Sequence, residues 1–253
     1  LLILDVPLKF KNPFNVDTIS KSTYIKNCFN IAIKLTKKKK ISGFINCAIN
    51  KKETFGNNFT GVTEFLAKRE KVLGKEAMII YNRKLSVCPI TTHIKVKKIS
   101  KLLSKKLILN KLITINQFFN KKLKFKPKIG LLGLNPHNDE FRRDSEEKKI
   151  IIPIIKYLKK KKISVQGPLS ADTAFINPKK YKFDIIVGMY HDQVLSPFKA
   201  LFKFNAINLT AGLPYIRISP DHGIGKDILK KNIANPQSLF ESIKFFQKIN
   251  VKS

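Results

Sequence analysis

The 253-residue chain contains four histidines, and three of them stand where chemistry is expected. His93 follows Thr91 and Thr92, just after an apolar segment ending near Ile90. His137 closes the run Gly133-Leu134-Asn135-Pro136-His137, directly after another apolar segment. His191 lies in Met189-Tyr190-His191-Asp192-Gln193, again where an apolar segment ends. In α/β sheets, ligands bind beyond the carboxyl ends of the strands. Three neutral imidazoles converging there would hold a divalent metal and leave coordination positions open for substrate or water. Taken singly, each histidine is more readily an ordinary polar loop residue. The repetition at three strand ends, in a chain poor in histidine, favours the metal.

Thr63, Lys199, Asn208 and Arg217 are candidate anion-binding residues. Arg217 follows the apolar stretch Leu213-Pro214-Tyr215-Ile216, where an unpaired charge is costly. A bound phosphate or carboxylate would satisfy it, and so would an internal Asp or Glu. Lys199 is one of 45 lysines and means little alone. His222 lies in Ser219-Pro220-Asp221-His222-Gly223-Ile224-Gly225, whose glycines permit close backbone approach to a ligand. No GxGxxG follows a strand, so an ordinary Rossmann dinucleotide site has no support.

The elements that must position these residues alternate in period. Residues 41–49, 77–81, 128–134, 183–189 and 206–209 read as strands, several apolar throughout, as expected when both faces are covered. Residues 145–160 read as a helix with Glu146 and Glu147 near its positive end and lysines at its tail. In the last helix Asn235 is the cap and Pro236 fits the first turn. Leu239, Phe240, Ile243, Phe246 and Ile249 are expected to share its buried face. Strands interleaved with helices indicate an α/β architecture with a largely parallel sheet.

The net charge of +33 invites a nucleic-acid-binding reading, but only five of the 50 basic residues are arginines. Arginine is the residue that grips phosphates and guanine edges bidentately. Lysine, isoleucine and asparagine are inflated together along the whole chain, a pattern of codon drift on solvated faces rather than of a nucleic-acid partner. Cys28, Cys47 and Cys88 form no CxxC pair, which fits a reducing, cytoplasmic compartment. No apolar run reaches the roughly 18 residues of a membrane span. The chain opens on Leu1 rather than Met, and an incomplete N-terminus is expected.

Several motifs, in order, carry a resemblance: INK at 49–51, TTH at 91–93, GLNPH at 133–137, GPLSADTAF at 167–175, GMYHDQ at 188–193, INLTAGLPYIR at 207–217 and SPDHG at 219–223. Together they resemble the 4-hydroxythreonine-4-phosphate dehydrogenase family, from about Gly43 to the C-terminus. The resemblance implies a two-lobed α/β/α sandwich like that of isocitrate and isopropylmalate dehydrogenases. Residues 1–45 with 206–253 would form the cofactor-side lobe and 46–205 the metal, substrate and dimer side. A homodimer with active sites at the interface is implied. The expected reaction is NAD- or NADP-dependent oxidation of 4-phosphooxy-L-threonine with decarboxylation to 3-amino-2-oxopropyl phosphate, a step of pyridoxal phosphate biosynthesis.

By the same resemblance, His93, His137 and His191 would ligate the divalent metal (Zn, Mg, Co or Mn). Thr63, Lys199, Asn208 and Arg217 would contact substrate, and Asp172 and Lys199 are the catalytic candidates. Gly212, Leu213, Asp221, His222 and Gly223 would contact the dinucleotide; Asp221-His222-Gly223 with Ile233-Ala234-Asn235-Pro236 also resembles the cofactor loop of isopropylmalate dehydrogenases. Three departures stand out. The family's Gly-His-Thr-Glu motif reads Gly61-Val62-Thr63-Glu64, placing a valine where a substrate-contacting histidine is usual. The glycine-rich stretch after GLNPH is replaced by Asn138-Asp139-Glu140-Phe141-Arg142-Arg143, implying a differently shaped loop. The N-terminal Pro-Gly-Glu-Pro-Ala-Gly segment is missing. Val62 leaves open a second substrate, another phosphorylated or acidic hydroxy acid.

Overall fold

The computed structural model describes residues 2–13, 15–176 and 182–250. Its strands are β1 (Gly43–Ile45), β2 (Ala77–Tyr81), β3 (Ser86–Thr91), β4 (Ile129–Leu132), β5 (Val165–Leu169), β6 (Ile185–Tyr190), β7 (Ile207–Ala211) and β8 (Ile216–Pro220). They form one eight-stranded sheet in the order β1-β8-β7-β2-β3-β6-β4-β5. The helices are α1 (Thr18–Lys37), α2 (Lys51–Phe55), α3 (Val62–Arg69), α4 (Ile99–Leu102), α5 (Lys105–Phe118), α6 (Ile152–Lys160), α7 (His191–Phe202) and α8 (Gln237–Asn250).

The expected largely parallel sheet is mixed. β3, β6, β4 and β5 run parallel, and so do β1 and β8. Between the two groups, β2 is antiparallel to both β3 and β7, and β7 is antiparallel to β8. The strands β1, β8 and β2 therefore point opposite to the rest. This reversal has no periodicity signature, because a strand buried on both faces is apolar whichever way it runs. In the sheet, β1, β8 and β7 lie to one side and β2, β3, β6, β4 and β5 to the other, joined by β2 and β7 through five residue pairs from Ala77↔Ala211 to Tyr81↔Ile207.

Both faces are covered. Along β2, Ala77 and Ile79 face a layer built on Ile108, Leu112 and Ile115 of α5 and Ile154, Ile155 and Leu158 of α6. Met78 and Ile80 point the other way, toward Val194 and Phe198 of α7. That alternation is the two-residue period of a pleated strand. A third cluster joins Phe29 and Ile33 of α1, Phe55 of α2, and Val62 and Leu66 of α3 to Tyr215.

The helix expected over 145–160 forms, but Glu147–Ile151 is a π-helical turn ahead of α6. Pro153 explains it: without an N–H, and with its ring against the preceding turn, the ladder is widened just upstream. In α8, Asn235 caps as expected, accepting from the Gln237 N–H at 2.9 Å. The buried face differs from the expected one. Ser238, Ser242, Phe245 and Ile249 point inward, whereas Phe240 is 51% and Ile243 42% exposed. Ser238 Oγ donates to the Ala206 carbonyl and accepts the Asp221 N–H, so polar tethers set the helix rotation that the apolar pattern alone misassigned. Phe245→Ala is expected to cost about 3–5 kcal/mol, whereas Ile243→Ala should stay within about 0.5 kcal/mol, as read by chemical denaturation; equal losses would mean the helix is rotated otherwise.

Candidate active site

His93, His137 and His191 follow β3, β4 and β6, which are neighbours in the order β3-β6-β4 and parallel. Their carboxyl ends therefore coincide, with Thr91 directly opposite Tyr190. His93 and His191 come together, their ring centroids 5.9 Å apart. His137 does not join them. It is exposed, and among the described residues no three His, Cys, Asp or Glu side chains converge as a metal set.

The paired imidazoles are oriented by carboxylates. His93 Nδ1 lies 3.4 Å from Glu64 Oε1, which also accepts from Thr92 Oγ1 at 3.1 Å. His191 Nδ1 lies 2.7 Å from Asp192 Oδ1. In the tautomer that donates from Nδ1, each ring keeps Nε2 as a lone-pair donor, the arrangement found where carboxylates orient metal-binding histidines. The donor chemistry thus fits two of the three ligands a divalent cation would need. Burial alone would raise the Glu64 carboxyl, but bonds from His93, its own backbone N–H and Thr92 bring it down to about 2. Glu64 Oε2 is buried without a partner. It lies over Gly61, where an added Cβ would come within 2.6 Å of it.

A cleft of about 610 Å³ runs from this pair across the face of the sheet over Met78, Ile80 and Asn208 to Asp221, His222 and Gly223. Thr63, Lys199 and Arg217 also line it. Because β8 is reversed, residues after its carboxyl end reach the same cleft from the opposite direction. Arg217 is only 3% exposed. Its Nε donates to Asn46 Oδ1 at 2.6 Å and Nη1 to Thr210 Oγ1 at 3.1 Å. No carboxylate pairs with it directly among the described residues. Burial lowers the guanidinium to about 10, opposed by the charge of Glu64, so it remains cationic at neutral pH. Thr63 Oγ1 lies 3.4 Å from Thr210 Oγ1, so α3 joins this network at its first turn. Gly61, its N-cap, provides no side-chain bond, which leaves backbone N–H groups of that turn available to an anion. Asn208 Oδ1 is a second buried acceptor without a partner. The cleft therefore offers both cationic donors and an orphan acceptor, which suits a ligand bearing anionic and N–H or O–H groups together.

Lys199 Nζ donates to the carboxylate of Asp221 and, at 3.1 Å, to its carbonyl oxygen. Burial raises the Asp221 carboxyl, and the Lys199 contact opposes the rise. Nothing lies within 4 Å of the position a Cβ at Gly223 would take, so the backbone there is open. Gly212 and Leu213 are placed elsewhere. Gly212 turns the chain after β7 at φ +93 against the Lys75 carbonyl, and Leu213 packs on the Val62–Tyr215 cluster. Asp172 is exposed on the turn after β5, outside the cleft. Val62, 7% exposed, gives the cleft an apolar wall backed by Phe29 and Leu66.

The His137 loop is unusual. Residues 137–141 all have left-handed backbones, at φ 49, 59, 49, 47 and 56, with no glycine among them. Each such L-residue costs roughly 1–2 kcal/mol. Glu64, Asn46, Thr210, Gln193 and Glu147 were not singled out as site residues by sequence. Glu64, Thr210 and Gln193 lay inside quoted motifs, while Asn46 matters only through the pairing of β1 with β8.

A family profile described as Pyridoxal phosphate biosynthetic protein PdxA matches residues 3–246. The chain is 41% identical over 247 residues to a 4-hydroxythreonine-4-phosphate dehydrogenase of Sulfurihydrogenibium sp., covering 95% of this chain and 74% of that protein. Other curated relatives of that name are 36–42% identical, and the chain spans as little as 52% of their length. Among solved structures, 4-hydroxythreonine-4-phosphate dehydrogenase from Klebsiella pneumoniae superposes with a TM-score of 0.83 at 30% identity, over 97% of this chain and 77% of that one. Isocitrate dehydrogenase from Methylococcus capsulatus, at 12% identity and TM-score 0.52 over 86% of this chain and 75% of that one, shares the fold.

Replacing Glu140, whose φ is 47, with glycine removes a strained Cβ and only an exposed ion pair to Arg142 at 4.0 Å. Glu140→Gly should raise Tm by about 2–4 °C, as measured calorimetrically; a fall would show that the loop is not left-handed there.

Proposed function

The chain belongs to the family of pyridoxal phosphate biosynthetic protein PdxA, whose curated relatives are oxidoreductases named 4-hydroxythreonine-4-phosphate dehydrogenase, and we propose that it oxidises and decarboxylates 4-phosphooxy-L-threonine with NAD or NADP. The observation that carries this reading is the union in one cleft of two carboxylate-oriented imidazoles with a buried, unpaired arginine. A divalent metal (Zn, Mg, Co or Mn) at the histidines would supply Lewis acidity toward the alcohol, and a dinucleotide, which Asp221, His222 and Gly223 would hold, would supply the hydride acceptor.

The remaining roles fall to the chain itself. Arg217, Asn208 and the first turn of α3 with Thr63 hold the carboxylate and phosphate, and the orphan oxygen of Asn208 accepts from the ammonium or hydroxyl. Oxidation of the alcohol gives a β-keto acid. Its C–C bond electrons remain as an enolate when CO2 leaves, and Lys199, which lines the cleft beside Asp221, donates the proton that quenches it. The wall formed by Met78, Ile80, Val62 and Leu195 keeps water from the reacting carbon.

His137 and Asp172 are both exposed, after the adjacent parallel strands β4 and β5. A homodimer that seats this corner of one copy over the cleft of the other completes the metal set with His137 and brings Asp172 to the substrate. Within that arrangement, residues 1–45 with 206–253 form the cofactor side and 46–205 the metal and dimer side. The free thiols at Cys28, Cys47 and Cys88 are in keeping with a cytoplasmic enzyme. Val62 supports a second reading, in which the substrate is another phosphorylated hydroxy acid, because valine removes a polar contact from the cleft wall.

The deciding assay is metal-dependent NADH formation with 4-phosphooxy-L-threonine, run beside a panel of hydroxy-acid phosphates. His137→Ala should abolish it, and unchanged turnover would sink the assignment; a preferred substrate lacking the amino group would favour the second reading. Arg217→Met should raise KM more than tenfold, and a KM equal to the parent's would remove Arg217 from substrate binding.

A further inference from the structure

Behind the His137 loop stand two side chains with no role in the reading above. Glu147 is fully buried at 0% exposure, in the π-helical turn that leads into α6. No Lys or Arg pairs with it among the described residues. Instead Oε1 accepts the backbone N–H groups of Leu134 at 2.7 Å and Asn135 at 2.9 Å, and Oε2 accepts Asn135 Nδ2 at 3.0 Å. Asn135 Nδ2 also reaches Glu146 Oε2 at 2.8 Å. One buried carboxyl thus grips the segment that ends two residues later in His137. Gly133 is glycine for the same reason, since a Cβ there would lie 2.9 Å from Glu147 Oε1 and 2.1 Å from Asn138 Oδ1.

Gln193 acts from the other side. Its Nε2 donates to the Gly133 carbonyl at 2.7 Å, and its Oε1 accepts the Met189 N–H at 2.6 Å. The side chain is 9% exposed and spans from the end of β6, just before His191, to the end of β4, just before His137. Burying a carboxyl and an amide is costly unless every bond is made. Core packing at these positions would be served by apolar side chains. What these two supply instead is direction: they fix backbone groups on both histidine-bearing loops in one frame.

We propose that Glu147 and Gln193 are positioning residues for the metal site, holding the strained 137–141 turn so that His137 is presented from the exposed corner that meets the cleft of the other copy. The inference rests on the trihistidine metal reading above. Glu147 opposes the backbone strain of the loop, and Gln193 transmits the position of β6 to β4. Neither touches the metal or the substrate.

The test is titration of Co2+ into the metal-free full chain, following the visible ligand-field band and competition with a chelating dye. Glu147→Gln and Gln193→Met should each weaken Co2+ binding by about 10–100-fold and alter the band. In a His137→Ala background, Glu147→Gln should add no further loss, because its effect passes through that imidazole. Glu76→Gln, a buried carboxyl remote from the histidines, should lower Tm and leave Co2+ affinity within about twofold. Should Glu147→Gln be too unstable to purify, Gln193→Met carries the same comparison. Parent-like Co2+ affinity in both variants, with His137→Ala weakened, overturns the positioning role alone. Failure of the parent to bind Co2+, or of His137→Ala to weaken it, overturns the metal reading and this proposal with it.

Discussion

The parallel ladders β3–β6 and β6–β4 are the constraint on which the rest of the structure depends. They pair Ser86 with Ile185, Thr91 with Tyr190, and Ile129 with Ile185, so three strands end at one level. A shift of one residue in either ladder would turn the apolar side chains of β6 to the wrong face and displace His191 from His93. That register is secured by Ile185, Val187 and Met189 on one face and Ile186 on the other, all buried. Packing that stabilises the sheet is therefore the same packing that places the imidazoles.

Around that frame the cleft is an electrostatic compromise. Arg217 is taken out of water without a direct ion pair, and neutral oxygens of Asn46 and Thr210 satisfy only part of its hydrogen-bonding capacity. Glu64 stands near enough to favour the charged guanidinium while its own Oε1 is engaged with Thr92 and His93. A bound anion would complete Arg217, and a bound donor would complete Asn208 Oδ1. Stability is given up locally, and the incompleteness is what a ligand repairs. Val62 closes one side of the cleft with apolar packing against Leu66 and Tyr215.

Much of the molecule was legible in sequence because it rests on local periodicity. β2 spans the expected residues, β4, β6 and β7 fall within or beside theirs, and Asn235 caps α8. Other features escaped for definite reasons. β5 contains Gly167 and Pro168, and its place at the sheet edge accommodates the proline. α8 offers two apolar stripes, and the choice between them was made by Ser238 bonding to Ala206 and Asp221, contacts 32 and 17 residues away.

By itself, the sequence determined the α/β alternation, the three histidines at strand ends, and the family motifs, since each depends on neighbours within a few residues. Only the tertiary structure decided that β2, β8 and β1 run opposite to the others, that His93 meets His191 while His137 stays exposed on a left-handed turn, and that Arg217 lies buried against Asn46 and Thr210. Those outcomes depend on which strands pair and in which direction. Pairing is settled by burial summed over the whole sheet, and no stretch of chain records that sum locally.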